Sequence, residues 1–278
     1  MKLLALLLVN FSFALNAHAL VIEREALVPP GDILKWNAEF NQRAKASAQS
    51  FYAECREVSS LKGAQVCLFN GRGPMNDALL RASVSVEGLG KYNKGDIPKH
   101  DDSALIRIAP MAGGHDLPGE ELAAFYERTA LACETAKQAA NVCFSAEEKE
   151  FYEKIVLPRT ERREPLVVIG FEMKAGISHQ SSVGHELLHA QYFLSQDFRE
   201  VVDQFWIAEL TDEDRARVRQ RLSGLYDVKI ELLMRNEFQA YVLMPDAGMY
   251  QLGNEVPRFA VKLKKALADR GLAPIEIL

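Results

Sequence analysis

Hydrophobic and polar positions along this chain change their period near residue 119. Before it, short apolar runs alternate with turns. Residues 66–69 and 80–86 read as short strands, and 104–108 as another. Residues 36–52 carry helix formers, including Asn37-Ala-Glu-Phe-Asn and Arg43-Ala-Lys-Ala. Turns punctuate 71–74 and 88–98, and 111–118, with Gly113-Gly114, reads as a loop. From Gly119 onward the pattern is mainly helical. Residues 120–140 are amphipathic, with Leu122, Phe125 and Leu131 on the expected buried side. Ser145 and Glu148 form a capping-box pair, because hydroxyl and carboxylate can each satisfy an orphan amide at the helix start. That helix is expected to end before Pro158. Residues 165–171, apolar and β-branched, give the clearest buried strand, followed by a loop over 172–182. Further helices are expected over 198–210, from a Thr211/Asp214 cap to about Ser223, over 227–243 up to Pro245, and over 257–270 before Gly271.

These elements predict an α+β protein with a small mixed sheet and a helix-rich C-terminal part. A division into a mixed region 20–118, of open role, and a helix-rich region 119–278 is compatible with the pattern. So is one domain over 20–278. There is no internal repeat.

The start of the chain is of another kind. Lys2, the apolar run 3–15 and Ala17-His18-Ala19 form an export signal with a small-x-small cleavage site, and the cut is expected after Ala19. The run is too short and too soon interrupted for a membrane span, and no later run is long enough. Periplasmic or secreted export follows. Behind such a signal, four cysteines predict disulfides. Of three pairings, Cys55–Cys67 with Cys133–Cys143 closes two short loops and is the expected one. Neither pair has the tight spacing of a structural zinc site. The formal charge of −5 and the lack of a basic run give no footprint for nucleic acid.

The strongest chemical signal is His185-Glu186-Leu187-Leu188-His189. On a helix the two histidines lie four residues apart on one face, so both imidazoles can reach one zinc ion. Glu186 can lean toward the water on that metal. Leu187, Leu188, Tyr192 and Phe193 make the helix internal, where two uncoordinated imidazoles would be costly.

With its upstream strand, this segment resembles the zincin metallopeptidases, specifically the gluzincin type. The resemblance covers roughly residues 165–245. The metzincin extension is missing, and Gln191 and Gln196 do not replace it. The resemblance implies a third ligand from a glutamate on a later helix. Asn236-Glu237-Phe238-Gln239-Ala240 matches one form of that motif and makes Glu237 the candidate. Tyr241 stands where the thermolysin-like group has an aspartate, which leaves the subfamily open. Alternatives are Glu231 and Asp227 as ligand, or a pairing of Glu237 with Arg235. The resemblance also implies a group that steadies a developing oxyanion; Tyr226, Tyr241, His179 and His115 are the candidates. Asn236 is a candidate supporting group. His100, beside Asp101-Asp102, reads as an exposed loop residue.

The function so implied is zinc-dependent hydrolysis of a peptide, protein or peptidoglycan peptide, with Glu186 as general base. Strand 165–171, if it is the sheet edge, would align an extended substrate. A catalytically silent zinc-containing recognition or inhibitory domain is the alternative.

Overall fold

The computed structural model describes residues 21–24, 27–46, 51–110, 112–172, 177–244 and 251–277. The export signal lies outside them. Five strands form one mixed sheet: β1 (Val21–Arg24), β2 (Tyr52–Glu57), β3 (Ala64–Phe69), β4 (Gly114–Pro118) and β5 (Val167–Glu172). Their order is β1-β2-β3-β5-β4. β1 runs parallel to β2, β3 parallel to β5, and the β2–β3 and β5–β4 pairs are antiparallel. The sheet therefore joins strands from both sides of residue 118.

Side chains alternate across the strands and meet a different helical layer on each face. Val66, Leu68, Val167, Ile169 and Phe171 face α1 (Ile33–Ala46) and α7 (Ile177–Leu194). Cys67, Phe69, Leu117 and Val168 face α2 (Arg72–Glu87) and α4 (Gly119–Thr135). Gly170 belongs to this second face because α2 lies so close: a Cβ there would meet Leu79 Cδ1 at 2.4 Å. A third apolar cluster joins Leu188 and Tyr192 of α7 to α8 (Gln196–Ala208), α9 (Asp212–Leu222), α10 (Glu231–Leu243) and α11 (Glu255–Ala268). The α+β class and the helix-rich C-terminal part are thus as expected.

Several local expectations give way. Residues 80–86 lie within α2 and are not a strand. Every side chain from Ala78 to Val86 is buried, so no polar stripe is left to reveal the helical period. Residues 104–108 belong to α3 (Ser103–Ile108), started by Asp102, whose carboxylate accepts from the Ala104 amide. Residues 114–118, expected as loop, form β4. The helix from 119 stops at Thr135, and Leu131 is 65% exposed; Tyr126 and Thr129 join Leu122 and Phe125 inside. The Ser145/Glu148 capping box forms at α5 (Ala146–Phe151), but the helix does not end before Pro158. A wider turn over Tyr152–Val156 precedes α6 (Leu157–Arg162), so the proline falls in a first turn where its missing N–H costs little.

Cys55 pairs with Cys67 directly across the β2–β3 ladder, and Cys133 with Cys143. Among the described residues no helix is long and apolar enough to cross a membrane. His100 lies in a turn, as expected, but is half-buried rather than exposed. It packs beside the buried Arg81–Glu148 ion pair, which also gathers the Pro98, Val142 and Cys143 carbonyls.

On β2, the fully buried Glu54 accepts from Trp36 Nε1 at 2.9 Å, the Tyr52 hydroxyl at 2.7 Å and Arg43 Nε at 2.8 Å. Burial alone would raise its pKa, but the Arg43, Trp36 and Tyr52 donors outweigh that and hold it below the usual value. Its contribution is therefore present above the unfolded-state pKa near 4.5 and is lost as pH falls through the lower folded-state value. Glu54→Gln should cost about 1.5–3 kcal/mol near neutral pH in urea unfolding, with the gap to wild type closing in acid. A gap that stays constant down to acid would refute this account.

Candidate metal centre

α7 is clamped on two sides. Val183, Leu187 and Ala190 pack on the sheet, while Leu188 and Tyr192 pack into the C-terminal helical cluster. His185, Glu186 and His189 occupy the stripe left between them. α10 is tied to α7 by the fully buried Gln239, whose Nε2 donates to the Leu188 carbonyl at 3.2 Å. At the end of α10, Met244 packs so tightly on Gly184 that a Cβ there would meet its sulfur at 2.8 Å. These contacts bring Glu237 over the two histidines.

The three side chains converge. His185 Nε2 and His189 Nε2 are 3.1 Å apart, with rings near perpendicular. Glu237 Oε2 lies 3.6 Å from His185 Nε2, and Oε1 lies 3.8 Å from His189 Nε2. All three residues are buried. Burial lowers the pKa of each imidazole to about 4, so both are neutral and free to act as ligands at neutral pH. Burial also raises the Glu237 pKa, opposed by His189 and by the Tyr226 hydroxyl. Both imidazole Nδ1 atoms and Glu237 Oε2 lack hydrogen-bond partners. The two Nε2 atoms and the unpartnered Glu237 Oε2 converge and fit a cation, whereas the Nδ1 atoms, on the other side of each ring, would not touch the same ion. Two imidazoles and one carboxylate are a donor set suited to a divalent transition metal.

The rival ligands are elsewhere. Asp227 precedes α10, contrary to the expected helix 227–243, and accepts from the Lys229 amide at 3.0 Å. Glu231 accepts from Trp206 Nε1 at 2.7 Å and pairs with Arg219. Arg235 faces Asp203 at 3.4 Å and Glu231 at 3.8 Å, not Glu237. Asn236 is buried, and its Oδ1 accepts from Gln239 Nε2 at 3.2 Å.

Of the four oxyanion candidates, two are at the site. The Tyr241 ring is 4.3 Å from that of His185, and its hydroxyl is 3.1 Å from the Tyr226 hydroxyl. Burial raises both phenol pKa values, so both stay protonated donors. His115 is excluded. The alternation of β4 sends it to the α2 face, where its Nε2 lies 3.2 Å from Asn76 Oδ1. His179 falls in the first turn of α7, and its side chain lies outside the described residues.

β5 is not the sheet edge; β3 and β4 flank it, and β4 is the edge strand. β4 passes beside Glu186: a Cβ on Gly114 would be 3.1 Å from Glu186 Oε1. The alternation that removes His115 delivers Asp116, which sequence reasoning missed. Asp116, Glu186 and His189 place ligand atoms within 4.8 Å of one another. Burial, then Glu186, Glu87 and Glu237, push the Asp116 pKa well up. Reading 111–118 as a loop hid this, since a loop has no period to assign faces. A cleft of about 950 Å³ lies beside the site; Glu87, Asp116 and Asn236 line it, and His185, Glu186, His189 and Glu237 do not.

No family model, curated protein or solved structure matches the chain.

Zinc at 100 times its dissociation constant should raise the thermal midpoint of chelator-treated protein by about 5–10 °C. His185→Ala and Glu237→Ala should remove that shift, and Asp227→Ala should keep it. Calorimetry of the four proteins with and without zinc decides the ligand set.

Proposed function

We propose that the chain is a periplasmic or secreted zinc-dependent peptidase of the gluzincin-like type. The observation that carries the reading is the buried convergence of His185, His189 and Glu237, with Glu186 held between this triad and an edge strand. The two disulfides accord with export.

His185, His189 and Glu237 would hold the metal. Zinc, when bound, supplies a Lewis acid that polarises a carbonyl and eases deprotonation of water. The chain's own groups do the rest. Burial and the Glu237 and Glu87 carboxylates raise the Glu186 pKa well above its usual value, and a cation held by the triad would oppose that shift and favour the ionised form a base requires. Glu186 takes the proton of the attacking water and passes it to the leaving amine. The protonated hydroxyls of Tyr241 and Tyr226 are the donors nearest the triad for a developing oxyanion. The free side of β4 aligns an extended peptide by backbone pairing in the cleft, the role first expected of strand 165–171. Substrates in this reading are peptides, proteins or peptidoglycan peptides.

Glu186→Gln should retain zinc at one per chain and lose about 10²–10⁴-fold in peptide hydrolysis. Metal analysis beside turnover of a broad peptide and peptidoglycan panel tests it. Zinc binding with no hydrolysis of any substrate by the wild type would instead make the chain a recognition domain.

A further inference from the structure

Glu186 belongs to two sets of donors. Beside the triad, Asp116, Glu186 and His189 each bring one ligand atom within 4.8 Å of the other two. Asp116 comes from β4, Glu186 and His189 from α7. Gly114 and Asp116 are two residues apart and so share a face of β4. A Cβ on Gly114 would stand 3.1 Å from Glu186 Oε1 and 3.5 Å from its Cδ. The missing side chain at 114 therefore leaves room for the Glu186 carboxylate to lie against the strand that carries Asp116.

Two neighbouring carboxylates do not by themselves make a metal site. Here a donor of another kind is aimed at them. His189 is 1% exposed, its Nδ1 has no hydrogen-bond partner, and one of its nitrogens lies within 4.8 Å of both carboxylates. Its Nε2 is 3.1 Å from His185 Nε2, a contact in which only one of two neutral imidazoles can donate. Among the described residues no lysine or arginine pairs with Asp116 or Glu186. One imidazole and two carboxylates over this span fit a divalent cation, and the set is richer in oxygen than the triad. Asp116 also lines the neighbouring cleft, which opens this position toward solvent. Because both sets use His189, an ion at the second finds that ring already shared, and two adjacent cations repel. The second set is therefore the weaker one.

We propose that Asp116, Glu186 and His189 form a second divalent-cation position, filled only in excess metal, which captures the Glu186 carboxylate and so silences hydrolysis. The inhibitory consequence rests on the peptidase reading and adds control by metal concentration to that same site. An ion on the Glu186 carboxylate occupies the lone pair that receives the proton of the attacking water.

The test titrates chelator-treated protein with zinc by calorimetry. Bound zinc is counted by metal analysis after dialysis at each zinc concentration, and peptide turnover is read over the same range. Wild type should bind one equivalent tightly and a second about 10³-fold more weakly, with turnover falling about tenfold or more as the second fills. Asp116→Asn, on β4, and Glu186→Gln, on α7, should keep the first equivalent and weaken the second by about tenfold or more. The turnover of Asp116→Asn should then no longer fall over the range that inhibits wild type. Saturation of wild type at one equivalent overturns the proposal. So does a second equivalent that is unchanged in either variant, which marks an adventitious ion only. A second equivalent lost in both variants, with wild-type turnover indifferent to zinc, overturns the inhibitory role. If wild type binds two equivalents as expected but cuts no peptide at any zinc concentration, the peptidase reading and the inhibitory role fail, and the second metal position stands.

Discussion

Two neutral imidazoles and a carboxylate stand within 4 Å of one another in the interior, beside further carboxylates, and among the described residues no lysine or arginine pairs with Glu237. Removing such groups from water is costly unless each finds a partner. Here the partner each can share is a cation, and the rest of the C-terminal half is arranged to hold the three groups at that spacing. α7 cannot rotate, because it is buried against the sheet on one side and against the helical cluster on the other. α10 cannot slide along it, because Gln239 is bonded to the Leu188 carbonyl and Met244 sits on Gly184.

The sheet serves the same centre from the other side. β5 leads to α7 and carries β4 at its edge, which places a free strand edge along Glu186. Period-two alternation then decides which β4 side chains matter. Asp116 faces the centre and His115 does not. Around Glu186 gather Asp116, Glu87 and Glu237, so burial and like charge act together on its protonation.

The remoter parts of the fold obey a different rule. Glu54 and the Arg81–Glu148 pair are buried charges whose hydrogen-bonding capacity is met within the chain. Arg81 gathers carbonyls from two loops, and Glu54 ties α1 to the sheet. By contrast, Glu237 Oε2 has no hydrogen-bond partner and lies 3.6 Å from His185 Nε2, as a group kept for a ligand would.

The sequence by itself determined the features that depend on neighbours in the chain. His185 and His189 share a helix face because they are four residues apart. Ser145/Glu148 and Thr211/Asp214 cap helices because side chain and amide are three residues apart. β5 is legible because residues 167–171 are buried on both faces and therefore apolar, with only Glu172 at its end half-buried. The cysteine pairs could be favoured because their loops are short. Tertiary structure alone decided the rest. α2 read as a strand because burial on all sides erased its period, and β4 read as a loop because an edge strand of Gly, His, Asp, Leu and Pro has no propensity to announce it. Glu237 was a candidate among others until α10 began at Glu231, leaving Asp227 outside and turning Glu231 toward Trp206 and Arg219. Asp116 and the exclusion of His115 depend on which strand lies at the edge and which helices meet beside it. Contacts between residues far apart in the chain set those choices, and no local spacing encodes them.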